Sequence, residues 1–243
     1  MLQIFIERTF GIDFIYMDLF FCLIWIFVLL REKYKLEFLI GCLGILTNFI
    51  IDYFYWYGFL GIRTLEGPIN PLLFFIYFSI TYGMIEYSYV AVMFRVENNR
   101  SRIVWTLFLY SGWLLSGIVS QWIPISDAII HVAREMSLQR FPMLIGICIG
   151  FGFLVFLKYK WKPMFHLGWK RLAYIFLVGI LVHMGMETTL AVSGIRPSPL
   201  SEVIGEFLFN SLLEFNLGIP ILYLIWVFLG NRASIAENDQ NSG

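Results

Sequence analysis

The sequence predicts an all-α polytopic membrane protein, a bundle of seven transmembrane helices, and three observations carry that expectation. Of its 243 residues 59% are hydrophobic and only 14% charged, a balance a soluble domain of this length would struggle to keep in solution. The apolar residues gather into seven runs, near 14–31, 37–60, 70–95, 103–122, 141–158, 171–193 and 202–229. A helix needs about 20 residues to cross a hydrocarbon layer of about 30 Å. The runs are continuous rather than alternating, and backbone in lipid must pair within its own segment, so helices are predicted over a barrel.

Glu7, Arg8 and Asp13 precede the first run, without the basic start or small-residue cleavage site of a secretory signal, so this run is expected to be a retained span. Arg31, Lys33 and Lys35 follow the first span, Arg95, Arg100 and Arg102 the third, and Lys158, Lys160, Lys162, Lys170 and Arg171 the fifth. These loops share one side. The opposite loops are mixed: Arg63 with Glu66, then Asp127, His131, Arg134, Glu135 and Arg140, then Arg196 with Glu202. Positive residues favour the cytoplasm, which predicts an outside N-terminus and a cytoplasmic C-terminus in the cell membrane. Ser126 to Gln139 is too polar to span, yet Ile129, Ile130, Val132, Ala133 and Met136 give it an apolar side, which predicts an interfacial helix. One domain, 1–229, is expected, followed by a polar, disordered cytoplasmic tail over 230–243. Cys22, Cys42 and Cys148 lie in apolar runs without metal or disulfide spacing. Zero formal net charge gives no basis for binding nucleic acid.

Asn48 and Asp52 in the second span are echoed by His183 and Glu187 in the sixth, both at an offset of 135 (183−48 and 187−52). Each pair is followed by Gly-Ile-Arg, at 61–63 and 194–196, and then by a turn into another long span. Spans one to three (about 14–95) therefore read as a repeat of five to seven (about 141–229), with the fourth (about 103–122) as connector and the two units parallel.

Polar groups inside the spans mark the candidate site. An acid at the centre of a bilayer helix costs roughly 2.5–3.5 kcal/mol on insertion scales, so several of them together point to an interior site. His183 and Glu187 share one helix face, as do Glu206, Asn210 and Glu214. Carboxyls in one desolvated site resist full ionisation, so one is expected to be a neutral acid, the equipment of general acid/base chemistry or of proton-coupled movement. Glu187 and Glu206 are the expected acids, within reach of each other, and Asp52 and His183 the proton partners. Asn48, Asn210, Glu214, Glu86, Tyr82, Trp56, Arg63 and Arg196 are expected to line the site, with the two arginines pairing with Glu66 or Glu202 or capping the acidic pocket. A structural polar network between helices is the competing reading. His183, Glu187 and Glu206 also leave a divalent metal open, but with a single histidine neither a metal nor another cofactor is predicted.

The turn-into-helix segments resemble the membrane-type lycopene cyclases, whose two fused three-helix units each carry a motif like Pro-Ile-Glu-Glu-x-Leu-Phe-Phe/Asn. Pro68, Ile69, Leu73, Phe74 and Phe75 match it in the first copy, and Ile204, Glu206, Leu208, Phe209 and Asn210 in the second. Asn70 and Pro71 stand where the first copy has its paired acids, Gly205 replaces one in the second, and Glu206 alone remains. The three-helix, connector, three-helix layout is also similar to sugar transporters of the SWEET type. Microbial rhodopsins share seven spans, but the seventh run here has no lysine for a retinal Schiff base. The resemblance implies an apolar isoprenoid or lipid bound between the two halves, with cofactor-free cyclase, isomerase or hydratase chemistry. A proton- or cation-coupled small-solute transporter and a non-catalytic membrane subunit remain open. Expected partners are membrane lipid, an apolar small molecule, and a homo-oligomer or membrane complex.

Overall fold

The computed structural model describes residues 5–123, 125–136, 139–160, 167–196 and 210–241, with side chains described as far as 230. It is mostly helical. Helix α1 is Ile12–Arg31, and α2 is Lys35–Phe49, continuing as a π-helix over Ile50–Phe59. Next come α3 (Pro71–Phe78), a second π-helical segment (Ser79–Gly83) and α4 (Met84–Arg95). The remaining helices are α5 (Asn99–Trp122), α6 (Arg140–Lys160), α7 (Trp169–Val192) and α8 (Ile219–Asn241). Among the described residues five helical stretches are long and apolar enough to cross a membrane: Ile12–Arg31, Lys35–Phe59, Asn99–Trp122, Arg140–Lys160 and Trp169–Val192. Their outward faces suit lipid, with Phe20, Leu23, Phe27, Leu107 and Ile149 all exposed.

Local chemistry sets the helix starts. Asn70 and Pro71 begin α3: the Asn70 side chain accepts from the Leu72 N–H at 2.9 Å, and Pro71 fills the first turn, where an N–H has no partner. Asn98 caps α5 in the same way through the Arg100 N–H at 2.9 Å. Helix α2 crosses α4 and the π segment before it at close range, because Gly44 meets Gly83. A Cβ on Gly83 would come within 2.6 Å of the Gly44 carbonyl carbon. The core is aromatic, and Trp25 donates from Nε1 to Ser88 Oγ at 2.8 Å, satisfying both groups where no water reaches.

A three-stranded antiparallel sheet closes one end of the bundle. Its strands are β1 (Phe5–Gly11), β2 (Arg63–Glu66) and β3 (Ile129–Glu135), in the order β1-β3-β2. The interfacial helix expected over Ser126 to Gln139 is therefore corrected to a strand across its centre. Ile130, Val132 and Arg134, two apart, point inward, and pairing on both edges satisfies the backbone of a polar segment lying over an apolar bundle. The loops after α2 and α7 join the same end, where Ile62 O accepts from Glu135 N and Ile195 O from Thr9 N, both at 2.9 Å. At the other end Arg95 meets the buried Glu37 at 3.1 Å, and Arg171 reaches the Phe94 carbonyl. The Lys/Arg-rich loops thus gather opposite the sheet. Helix α8 runs on to Asn241, so helical backbone occupies much of the segment where composition predicts a disordered tail.

Candidate functional site

The sheet turns one arginine from each strand into the bundle. In the strand register Arg63 stands across from Arg134, and Arg8 across from Val132, so three guanidiniums converge under neighbouring strands. Arg196 joins them from the loop after α7. Burying a guanidinium is tolerable only beside a carboxylate, and the spans supply them. Arg63 is ion-paired with Asp52, and Arg134 with Glu214, whose other oxygen lies 3.2 Å from His183 Nε2. Arg196 grips Glu187 with two nitrogens, Nε donating to Oε2 at 3.0 Å and Nη2 to the other oxygen, while Nη1 donates to the Glu7 carbonyl at 3.0 Å.

Two glycines aim two of these arginines. Gly61 and Gly194 adopt left-handed φ values of 63° and 71°, which glycine reaches without steric cost. The chain doubles back, and the arginine two positions later returns to a carboxylate on the helix just completed. Arg63 and Arg196 thus cap the buried acids, one of the two roles expected for them, and Arg63 does so rather than pairing with Glu66. Glu66 is exposed on β2, and Glu202 lies outside the described residues.

Arg8 is less completely matched. Its Nη2 lies 3.8 Å from Glu187 Oε1 and 3.8 Å from Met186 Sδ, while both Glu187 oxygens are already held by Arg196. Aromatic faces take up the difference. The Arg8 guanidinium carbon is 5.7 Å from the ring centres of Phe78 and Tyr82, that of Arg63 is 4.6 Å from Phe78, and that of Arg134 is 4.3 Å from Trp56. Burial alone would lower the Arg8 guanidinium, but Tyr82, Glu187, Glu214 and Glu86 around it raise it above its ordinary value, so it stays charged.

Beneath the sheet these groups enclose a void with room for about one water. Arg8, Arg63, Tyr77, Phe78, Tyr82 and Val132 are among its lining residues. Behind Tyr77 lies Asp18, fully buried in the first span, whose Oδ2 accepts the Tyr77 hydroxyl at 3.0 Å. Both π-helical segments border this region, one carrying Asp52 and Trp56, the other Tyr82. Such segments displace side chains from α-helical register and recur at functional sites.

Of the residues expected from sequence, Asp52, Trp56, Arg63, Tyr82, Glu86, His183, Glu187, Arg196 and Glu214 meet in this cluster. Glu86 is buried among the charges of Glu214, Arg8, Glu187 and Asp18, with no hydrogen bond to any of them. Asn48 is half-buried, one turn before Asp52. Asn210 is buried, and its Oδ1 has no partner among the described residues. Glu206 lies outside the described residues, so Glu187 is seen meeting two guanidiniums and not a second acid. Among the described residues no group of three His, Cys, Asp or Glu is arranged to hold a metal ion.

Arg8, Arg134, Asp18 and Tyr77 belong to the cluster without having been singled out from sequence. Asp18 was readable, because a lone acid inside the first apolar run is the same signal that marked Asp52. Arg8 and Arg134 were not, since only strand pairing turns them inward. Fold and site together define a helical membrane protein with a sheet-capped, arginine-rich interior. Compared with family models, curated proteins and solved structures, the chain matches none of them.

Proposed function

We propose that the chain spans the bilayer seven times, with the N-terminus outside and the C-terminus cytoplasmic, and binds an apolar isoprenoid or lipid molecule from the membrane between its two halves. The stretch Pro71–Arg95 and a span ending near Gly230 complete the count beside the five long apolar helices. Two three-helix units joined by α5 are supported by the shared construction of Asp52 with Arg63 and Glu187 with Arg196, each arginine brought back by a left-handed glycine.

The observation that supports the binding reading is the ring-lined void beneath the sheet, bordered by β1, α1, α3, the second π segment and Leu190 of α7 and in contact with buried charge; it has room for about one water, so a ligand must widen it. A buried apolar surface with a few convergent polar groups is the usual form of a small-molecule site. Protonation of a polyene there is the less favoured chemistry. Arg8 and Arg63 already lie over the aromatic faces that would otherwise stabilise a developing carbocation, and they add like charge. Binding, with Tyr77 and Asp18 as the nearest proton-bearing pair, is the reading we adopt.

Organic extraction of the purified protein, analysed by mass spectrometry beside an extract of the same membranes, is the test. One apolar species enriched several-fold over the membrane extract is expected, and an extract with the membrane's own composition would sink the proposal. The twin arginine–carboxylate pairs favour a second reading, a coupled transporter in which they close the outer end. Solute uptake into proteoliposomes driven by a proton gradient, abolished in Asp52→Asn, would select it.

A further inference from the structure

Of the four arginines in the cluster, Arg8 is the one with no carboxylate at hydrogen-bond distance among the described residues. Arg63 has Asp52, Arg134 has Glu214, and Arg196 takes both oxygens of Glu187. Arg8 is left with contacts at 3.8 Å to Glu187 and Met186, and it lines the void. A guanidinium carries five N–H donors in a planar fork, and ring faces at 5.7 Å attract its charge without accepting a directed hydrogen bond. Arg63 adds a second observation. Its side chain is 5% exposed, it lines the same void, and its Nε has no hydrogen-bond partner among the described residues. Two neighbouring guanidiniums therefore line one space, Arg63 with an unpartnered donor and Arg8 with long contacts only. The other titratable groups bordering it are Tyr77, donating to Asp18, and Tyr82, with Glu86 beyond. Buried donors in this state cost free energy until an acceptor arrives.

We infer that the space between Arg8 and Arg63 is a binding site for a carboxylate, the head group of the molecule taken into the void. A carboxylate is the anion the geometry fits. It is planar, it pairs with a guanidinium fork through two parallel hydrogen bonds, and, being smaller than a phosphate, it asks less widening of a space with room for about one water. The lining continues from the guanidiniums onto Phe10, Phe14 and Phe74, so a chain attached to that head meets apolar surface at once. The inference rests on the binding reading above and adds the ligand's charge and its anchoring residues.

The full-length protein in phosphatidylcholine nanodiscs would be titrated with sodium oleate, with sodium acetate, and with oleyl alcohol, which keeps the chain and lacks the charge. Sodium chloride at equal ionic strength is the control, and thermal stabilisation and calorimetry are the readouts. Oleate binding at least about tenfold tighter than oleyl alcohol is expected, and Arg8→Gln should remove that preference, since losing a charge-assisted pair is worth about that factor or more. Arg8→Lys, which keeps charge without the fork, should retain part of it and serves where Arg8→Gln does not fold. Stabilisation by acetate alone supports the carboxylate site with a free acid as its source, and the apolar-ligand reading then falls. Equal binding of oleate and oleyl alcohol, unchanged in both Arg8 variants, overturns the inference while leaving that reading intact. No effect from any of the three overturns both.

Discussion

Replacing Glu187 with glutamine tests the charge cluster at its most connected point. In the wild type Arg196 donates to both Glu187 oxygens and Arg8 lies 3.8 Å from one of them, with the carboxylate side chain 3% exposed. The amide keeps one acceptor but sets an NH2 against a guanidinium N–H, donor facing donor, and removes a negative charge shared by two cations. Breaking one partner of a buried pair typically costs about 3–5 kcal/mol, because the stranded charge stays desolvated. For a chain of this length each kcal/mol moves the melting point by about 2–4 °C, so Glu187→Gln is expected to melt roughly 6–20 °C lower, followed by tryptophan fluorescence in detergent. Removing the cation as well should restore much of this: Glu187→Leu with Arg196→Met trades the pair for apolar groups of similar size, leaving Arg8 short of its weak contact and the Glu7 carbonyl short of the Arg196 donor. The double-mutant cycle should show coupling of about 2 kcal/mol or more. A Glu187→Gln protein melting within about 1 °C of wild type, or a cycle with no coupling, would show that the pair does not hold this end of the bundle.

Asp52→Asn is expected to cost at least as much as Glu187→Gln, because Arg63 then faces Arg134 across the strand pair without its counter-charge; a loss under a third of that seen at Glu187 would contradict the equivalence of the two pairs. Gly83→Ala should destabilise by roughly 2 kcal/mol or more, since its Cβ meets α2 backbone at 2.6 Å, whereas Gly152→Ala, with nothing within 4 Å, should be neutral to slightly stabilising; similar melting of the two variants would show that α2 and α4 do not cross closely. In a background lacking Cys22, Cys42 and Cys148, cysteines placed by Lys33→Cys and Glu66→Cys should react with an impermeant thiol reagent from opposite sides of sealed vesicles. Labelling of both from one side would overturn the topology.

What the sequence made legible follows from how far each signal reaches along the chain. The five long apolar helices and the gathering of Lys and Arg at one end depend on composition over about 20 residues, and lipid enforces them whatever the neighbours do. Gly61 and Gly194 were visible as a repeated Gly-Ile-Arg because a left-handed turn has a local chemical requirement. The sheet was not visible. Ile129 to Glu135 carries both a helical and an alternating pattern, and the choice between them is made by residues 5–11 and 63–66, more than 60 positions away in sequence. The same non-local pairing turns Arg8 and Arg134 inward, where sequence reading left them as loop charges. One of Glu187 and Glu206 is expected as a neutral acid because like charges are counted along the spans, whereas the cations that meet Glu187, Arg8 and Arg196, come from outside the spans.

The π-helix at Ile50–Phe59 accounts for a mismatch that the matching pairs conceal. Asp52 and Glu187 stand 135 positions apart, but Gly61 and Gly194 stand 133 apart (194−61), so carboxylate to glycine is nine residues in the first case and seven in the second. Both arginines nevertheless reach their carboxylates. A π-helix closes each hydrogen bond one residue later than an α-helix, so its ten residues, about two turns, take up about two more residues than the same length of α-helix. Relaxing that stretch to α-helix would advance Gly61 by about 3 Å and rotate it by about 200° about the axis, two residues' worth, carrying Arg63 toward the far face of the helix. Asp52 would then lie buried without its cation, at a cost greater than that of a wide helical turn. The distortion is therefore held by the buried pair at its end rather than by local propensity, and it also brings Trp56 beneath Arg134 and Arg63, where a guanidinium can rest on its ring.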